Sequence, residues 1–134
     1  MWTCPNCERL FKTTNQSHYC VNKTIDDLFL NRPDHLVLAF DKIMTSVLQW
    51  EPNSLGPSKN AVVFTNRKAW LILRPMTKEL DLKFYCSEPL ESPVLKKVTT
   101  WGNKFAHHIR IKNEDEVTDE VLRLLREGFV FGMK

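Results

Sequence analysis

Four side chains of the kinds that bind zinc fall within the first twenty residues. Cys4 and Cys7 are separated by two residues, and after ten intervening residues His18 and Cys20 are separated by one. A two-residue gap lets a tight turn direct both sulfurs at one point, and residues two apart on a strand share a face. Three thiolates and one imidazole complete a tetrahedral zinc site. We therefore predict that Cys4, Cys7, His18 and Cys20 hold a structural Zn²⁺.

A redox pair of Cys4 and Cys7 is the alternative interpretation, and iron is an alternative occupant of a thiolate site. Four protein ligands leave no coordination position open for substrate, so the predicted site is structural rather than catalytic. About twenty residues cannot bury enough surface to fold unaided, and bound metal would supply the missing stability. We divide the chain into a zinc knuckle, residues 1–23, and a main domain, residues 24–134.

The main domain changes from helical to strand periodicity along its length. Thr24–Asp27 has the form of a capping box, and a helix from Pro33 to about Trp50 is indicated by apolar residues at helical spacing, namely Leu36, Phe40, Ile43 and Val47. Residues 51–58 contain two prolines and a glycine and are interpreted as a loop. Alternating runs follow at residues 61–64, 69–74, 80–86, 94–101 and 105–112, before a closing helix capped by residues 113–116.

This order predicts an α+β fold, with a four- to five-stranded, mainly antiparallel sheet and two principal helices packed on one of its faces. Hydrophobic residues make up 43% of the chain and charged residues 26%, which is typical of a globular protein and excludes a disordered one. No apolar stretch reaches the roughly 18 residues of a membrane span, and Met1–Pro5 lacks the pattern of a secretory signal. We expect a cytoplasmic protein without a membrane partner.

Positive charge is concentrated in the predicted sheet. Residues 55–112 contain eleven basic and four acidic side chains, whereas residues 24–54 contain two and five, and residues 113–134 contain three and six. Strand alternation places basic and aromatic residues together on the face away from the helices, namely Arg74, Lys83, Arg110, Tyr85, Trp70 and His108. Such a face attracts phosphates and can stack bases. The alternative is that these cations only solvate an exposed sheet.

Weaker indications of catalysis or metal binding come from His107 and His108, from Asp81 with Lys83, and from Cys86. Neighbouring residues on a strand point to opposite faces, so His107 and His108 cannot readily share a metal; we interpret His107 as a core residue bonded to a backbone carbonyl. Asp81 and Lys83 match one end of a magnesium nuclease site, but the adjoining strand offers no second acid. Cys86 follows the apolar phase of its strand and is interpreted as a core residue.

The sequence resembles, over nearly its whole length, a mostly prokaryotic family known only as a domain of unknown function. The resemblance is carried by Trp2–Cys7, Phe11, Asn15–His18, Cys20, Lys59, Phe64, Arg74–Pro75, Leu80, Leu82, Phe84 and His107–Arg110. It implies a CxxC…HxC zinc knuckle followed by an α+β domain, sometimes attached to predicted transport or nuclease-associated proteins. Glu8 stands where such knuckles usually have glycine. The resemblance implies no catalytic residue.

Three functions are compatible with these observations. The first is a zinc-stabilised, non-enzymatic module whose basic sheet face contacts nucleic acid or another polyanion. The second is an adaptor that binds a protein partner through the knuckle, with Trp2 and Tyr19. The third is a binding protein or an enzyme that takes a small anionic ligand between the sheet and residues 51–58, using Lys59 and His108. The sequence assigns no catalytic residue and favours a non-enzymatic role.

Overall fold

A computed structural model describes residues 2–5, 10–11 and 24–134. Two short strands, β1 (Trp2–Thr3) and β2 (Leu10–Phe11), pair antiparallel, with Thr3 opposite Leu10. Residues 24–134 form an α+β domain with three α-helices and a six-stranded antiparallel sheet. None of the described helices is long and apolar enough to cross a lipid bilayer.

The helices are α1 (Ile25–Leu28), α2 (Asp34–Val47) and α3 (Asp119–Gly132). The strands of the sheet are β3 (Ser54–Pro57), β4 (Val62–Thr65), β5 (Ala69–Pro75), β6 (Leu80–Cys86), β7 (Leu95–Trp101) and β8 (Lys104–Ile111). They lie in the order β3-β4-β5-β6-β8-β7, with every neighbouring pair antiparallel. The connections β3–β4 and β5–β6 therefore lie at the same end of the sheet.

The predicted strand count was wrong, because β3 lies within the segment interpreted as a loop. Its Gly56 and Pro57 are poor strand formers, and proline lacks the N–H that an interior strand must donate. At the edge of a sheet one side of the strand has no partner, so proline is tolerated there. Pro57 pairs with Val62, and β3 closes that edge.

Helix starts follow local capping chemistry. The capping box is confirmed: the Asp27 N–H donates to the Thr24 hydroxyl, and the Thr24 N–H donates to the Asp27 carboxylate. The predicted start of the closing helix was wrong. Asn113 caps only a 3₁₀ turn, Glu114–Glu116, and α3 begins after Thr118, whose hydroxyl accepts from the N–H of Val121.

The core lies between the helices and one face of the sheet. Buried residues of α2 and α3 join a single cluster with Leu71, Leu73, Leu80, Leu82 and Phe84. Gly128 lets α3 approach closely, because a Cβ there would lie 2.8 Å from Phe84 Cδ2. Cys86 belongs to the same cluster, and burial raises the pKa of its thiol to about 11. The thiol is therefore protonated at neutral pH, as expected of a core residue.

The placement of Trp70 on the exposed sheet face was wrong. Phe64 pairs with Leu71, but the next residue, Thr65, pairs with Ala69, so Trp70 is an extra residue in a β-bulge. The bulge interrupts the alternation and directs both Trp70 and Leu71 inward. Trp70 is only 1% exposed and packs against Trp50, Phe64 and Phe129, the last at 5.3 Å between ring centroids. It is a core residue.

His107 is confirmed as a core histidine bonded to a carbonyl. Its Nδ1 lies 3.1 Å from the Phe105 carbonyl oxygen, which can only accept, so Nδ1 carries the proton. Its Nε2 accepts from the Leu90 N–H at 2.9 Å. The ring stacks on Phe84 and has no exposed surface. Burial lowers the pKa of His107 below its ordinary 6.5, outweighing the hydrogen bonds of Phe105 and Phe84 that raise it.

This geometry predicts a loss of stability in mild acid. Since the pKa of His107 is lower in the folded than in the unfolded chain, the unfolded chain binds a proton first as the pH falls below about 6.5. The contribution is complete above that pH and declines by at most about 1.4 kcal/mol per pH unit until the folded pKa is reached. Denaturant unfolding of the parent and of His107→Gln between pH 5 and 8 measures it.

The parent should lose more stability than His107→Gln over this window. His35→Gln, at an exposed position of α2, is the matched control and should follow the parent profile. Parallel profiles for the parent and His107→Gln would contradict the assignment of a neutral, buried imidazole.

Candidate functional site

The face of the sheet opposite the core, here called the open face, collects the strand residues that alternate with the buried ones. On β6 these are Asp81, Lys83 and Tyr85, because Leu80, Leu82 and Phe84 point into the core. Cross-strand register extends the set through β5, β8 and β7. Its remaining charged and aromatic members are Arg74, Lys97, Trp101, Lys104, His108 and Arg110.

Three open-face residues form a closed polar network at its centre. Asp81 is 5% exposed, and its carboxylate accepts from Arg110 Nε at 2.7 Å and from His108 Nδ1 at 3.1 Å. Arg110 Nη1 also donates to Glu79 at 3.0 Å. Burial acts to lower the pKa of Arg110, but Asp81 and Glu79 outweigh it and raise the pKa above its ordinary value. The guanidinium of Arg110 is therefore engaged within the protein.

The hydrogen bonds of this network also indicate which atoms of His108 and Asp81 remain available for chemistry. Since His108 donates through Nδ1, its Nε2 is the nitrogen left to accept a proton. The carboxylate oxygens of Asp81 accept hydrogen bonds from His108 and Arg110. This disfavours Asp81 as the magnesium ligand of the nuclease-like pair that it forms with Lys83 in the sequence. The arrangement orients an imidazole, and it also neutralises charge at the centre of the face.

The cations around this network have no carboxylate partner among the described residues. No acidic group of the described ranges lies within 4.0 Å of the nitrogens of Lys83, Lys97, Lys104 or Arg74. Lys104 Nζ lies 4.2 Å and Lys83 Nζ 5.8 Å from the centre of the Tyr85 ring. The ring thus holds two ammonium groups through cation–π contacts. Tyr85 positions lysines rather than offering a bare stacking surface.

Trp101 is the accessible ring of this surface. It pairs with Lys104 across the β7–β8 ladder and is 63% exposed. Lys97 pairs with His108 on the same ladder, after a register shift between Leu95 and Lys97. The exposed ring beside Lys104 offers a flat apolar surface next to a positive charge.

The structure brings five of the predicted binding residues together on the open face: Arg74, Lys83, Tyr85, His108 and Arg110. Two lie elsewhere. Trp70 is in the core, and Lys59 lines a cleft at the end of the sheet, together with Arg74. Sequence reasoning missed Lys97, Trp101 and Lys104, although alternation along β7 and the turn before β8 could have indicated them.

The predicted zinc site lies mostly outside the described residues, which include Cys4 but not Cys7, His18 or Cys20. Cys4 follows β1 directly, is 4% exposed and packs against Trp2. A buried sulfur beside a two-stranded hairpin fits a structural metal ligand. No group of three metal-binding side chains occurs within residues 2–5, 10–11 and 24–134.

Comparison with known proteins gives one result. Residues 25–132 match the model of a family described as "Domain of unknown function (DUF5655)". No curated protein and no solved structure matches the chain. The matched residues run from the start of α1 to the end of α3 and include the whole sheet, so the chain belongs to the DUF5655 family of domains of unknown function.

Proposed function

We propose that this protein is a non-enzymatic binding module whose open face contacts a polyanion, and that the polyanion is single-stranded nucleic acid. The observation that carries the proposal is the exposed Trp101 of β7 beside Lys104 of β8, with Lys97 also on β7 and Lys83 on β6. Lysines supply the salt-dependent attraction for phosphates, and an exposed ring stacks a base.

In this proposal the residues of the open face have different parts. Lys83, Lys97, Lys104 and Arg74 contact phosphates, because none has a carboxylate partner in the described part of the chain. Trp101 stacks a base, and Tyr85 holds two of the lysines. Arg110 and His108 are tied to Asp81, so they shape the surface and contribute less charge to it.

A single-stranded partner is favoured over a duplex. The open face is a sheet surface, and none of the described helices presents a basic side to a groove: α2 and α3 begin with acidic residues and belong to acidic segments. Duplex readers commonly insert a helix or a strand ribbon into the major groove. An unpaired strand, by contrast, can lie flat on a sheet with its bases turned toward an exposed ring.

The zinc site belongs to the same proposal. Cys4, Cys7, His18 and Cys20 would hold Zn²⁺, which would supply a fixed cross-link for the N-terminal segment. The buried position of Cys4 supports this assignment. The metal has a structural role only. None of the four predicted zinc ligands is a residue of the open face.

Removing the lysines should weaken binding and reduce its dependence on salt. The variant Lys83→Gln/Lys97→Gln/Lys104→Gln is expected to bind a fluorescent oligo(dT) at least about tenfold more weakly at 0.1 M salt. The slope of log K against log salt should fall by about 2, since each lost phosphate contact contributes about 0.7 on single strands. Fluorescence anisotropy across a salt series measures both quantities.

The matched control removes the same charge from the helical side, through Lys42→Gln/Arg123→Gln/Arg126→Gln, and should bind like the parent. Equal losses in the two triple variants would mean that net charge alone drives binding. Absence of oligo(dT) binding at low salt would contradict the proposed function.

Replacing the exposed ring should affect affinity without affecting the salt slope. Trp101→Ala is expected to bind oligo(dT) about 5- to 150-fold more weakly, because stacking contributes about 1–3 kcal/mol per base. An abasic oligomer of the same length should bind parent and variant equally well. Trp101→Phe should retain most of the affinity, and a Trp101→Ala variant that binds as the parent does would exclude stacking at this ring.

Metal content gives an independent check on the N-terminal assignment. Native mass spectrometry with elemental analysis should find one zinc per chain, and Cys7→Ser should lose it. Cys86→Ser is the control that keeps the metal, because Cys86 lies in the core with a protonated thiol. Parent protein without stoichiometric metal, or equal zinc in both variants, would contradict the four-ligand site.

A further inference from the structure

A cleft lies at the end of the sheet, away from the centre of the open face. Its volume is about 590 Å³, within the range of small-molecule sites. The β3–β4 and β5–β6 connections form two of its walls, and the segment from α1 to α2 forms the third. This end cleft is lined by Asp27, Leu28, Leu30, Arg32, Lys59, Asn60 and residues 74–79.

Positive charge dominates the lining of the end cleft. Arg32, Lys59, Arg74 and Lys78 line it, against the carboxylates of Asp27 and Glu79. Both carboxylates have partners within the protein. Asp27 accepts from the N–H of Thr24 at 2.9 Å, and Glu79 is paired with the Arg110 guanidinium at 3.0 Å. Four cations against two carboxylates leave the lining of the cleft net positive.

Two of the lining residues, Arg32 and Arg74, are arginines suited to an anionic ligand. Arg32 Nε is buried and has no hydrogen-bond partner in the described part of the chain. A buried donor without an acceptor is costly, and a rotation of the Arg32 side chain toward the cleft that it lines would let an anionic oxygen satisfy it. Arg74 lies across the ladder from Asp81, but Asp81 is engaged by His108 and Arg110. Asn31, with φ of 64°, turns the chain immediately before Arg32.

The end cleft also has an apolar side. Leu28, Leu30, Pro75 and Met76 line it, and Leu30 is 68% exposed. Two guanidinium groups and nearby ammonium groups match the several oxygens and the double charge of a phosphate monoester better than a single carboxylate. The apolar side offers contact for a ring attached to that phosphate.

We propose that the end cleft binds a small phosphorylated ligand of the mononucleotide class, with its phosphate between Arg32 and Arg74 and its base against Leu30 and Met76. This site is separate from the proposed nucleic-acid surface, although Arg74 borders both. It also replaces the small-ligand site predicted between the sheet and residues 51–58: Lys59 lines the end cleft, whereas His108 lies on the open face.

Calorimetric titration of the 134-residue chain with AMP, in phosphate-free buffer, tests the proposal. AMP should bind, inorganic phosphate should compete with it, and adenosine should bind at least about tenfold more weakly because it lacks the charged group. Arg32→Gln and Arg74→Gln should each weaken AMP about tenfold or more, as expected for the loss of a charge-assisted hydrogen bond. If Arg32→Gln does not fold, Arg74→Gln, at an exposed position, carries the test.

The triple lysine variant of the open face separates the two proposals. It should bind AMP as the parent does while losing oligo(dT). Absence of AMP and phosphate binding at millimolar concentration would overturn the cleft assignment and leave the open face unaffected. AMP binding that survives both arginine substitutions, or that falls equally in the lysine triple variant, would also overturn it. Succinate that competes as strongly as phosphate would overturn the preference for phosphate.

Discussion

The close packing of α3 on the middle of the sheet determines which surface remains for a partner. A Cβ at Gly128 would meet Phe84 at 2.8 Å, and one at Gly132 would meet Trp70 Cβ at 2.7 Å. Two glycines on one side of a helix therefore let its backbone lie directly on β5 and β6. With α2 beside it, this contact seals the apolar face into one core. The other face has no described helix over it.

The same division separates the charges. Acidic residues concentrate in the segments that contain the helices, and basic residues in the segment that contains the sheet. At the centre of the open face, the Asp81 carboxylate accepts hydrogen bonds from His108 and from the Arg110 guanidinium. Charge without an internal partner is left at the periphery, on Lys83, Lys97 and Lys104, and at the end cleft. A modest net charge of +3 thus conceals two cationic surfaces.

Much of the fold could be predicted from alternation alone, because residues facing a helical layer must be apolar and their neighbours need not be. That reasoning found β4 to β8, the capping box at Thr24 and the buried His107. It failed where a single residue changes the phase: the β-bulge at Trp70 turns a predicted surface ring into a core ring. It also failed at β3, whose Gly56 and Pro57 look like a turn and are tolerated only because the strand is at an edge.

The site was harder to predict than the fold, since it depends on which charges neutralise one another. Sequence alternation placed Arg110 beside Lys83 as a phosphate ligand, but only coordinates pair it with Asp81 and Glu79. Arg32 precedes a helix and shows no periodicity, so nothing in the sequence associates it with Arg74 across the end of the sheet. Cys4 is the one predicted metal ligand within the described residues, and the four-ligand zinc site stays a prediction.

We propose that nucleic acid binds to the open face of the sheet rather than to the helical side. Amide chemical-shift mapping of the ¹⁵N-labelled protein during titration with oligo(dT) tests it most directly. We expect the shifts to concentrate at five residues of the open face and to leave α2 and the exposed side of α3 unchanged. These residues are Lys83, Tyr85, Lys97, Trp101 and Lys104. Shifts concentrated on the helices, or spread evenly over the molecule, would contradict it.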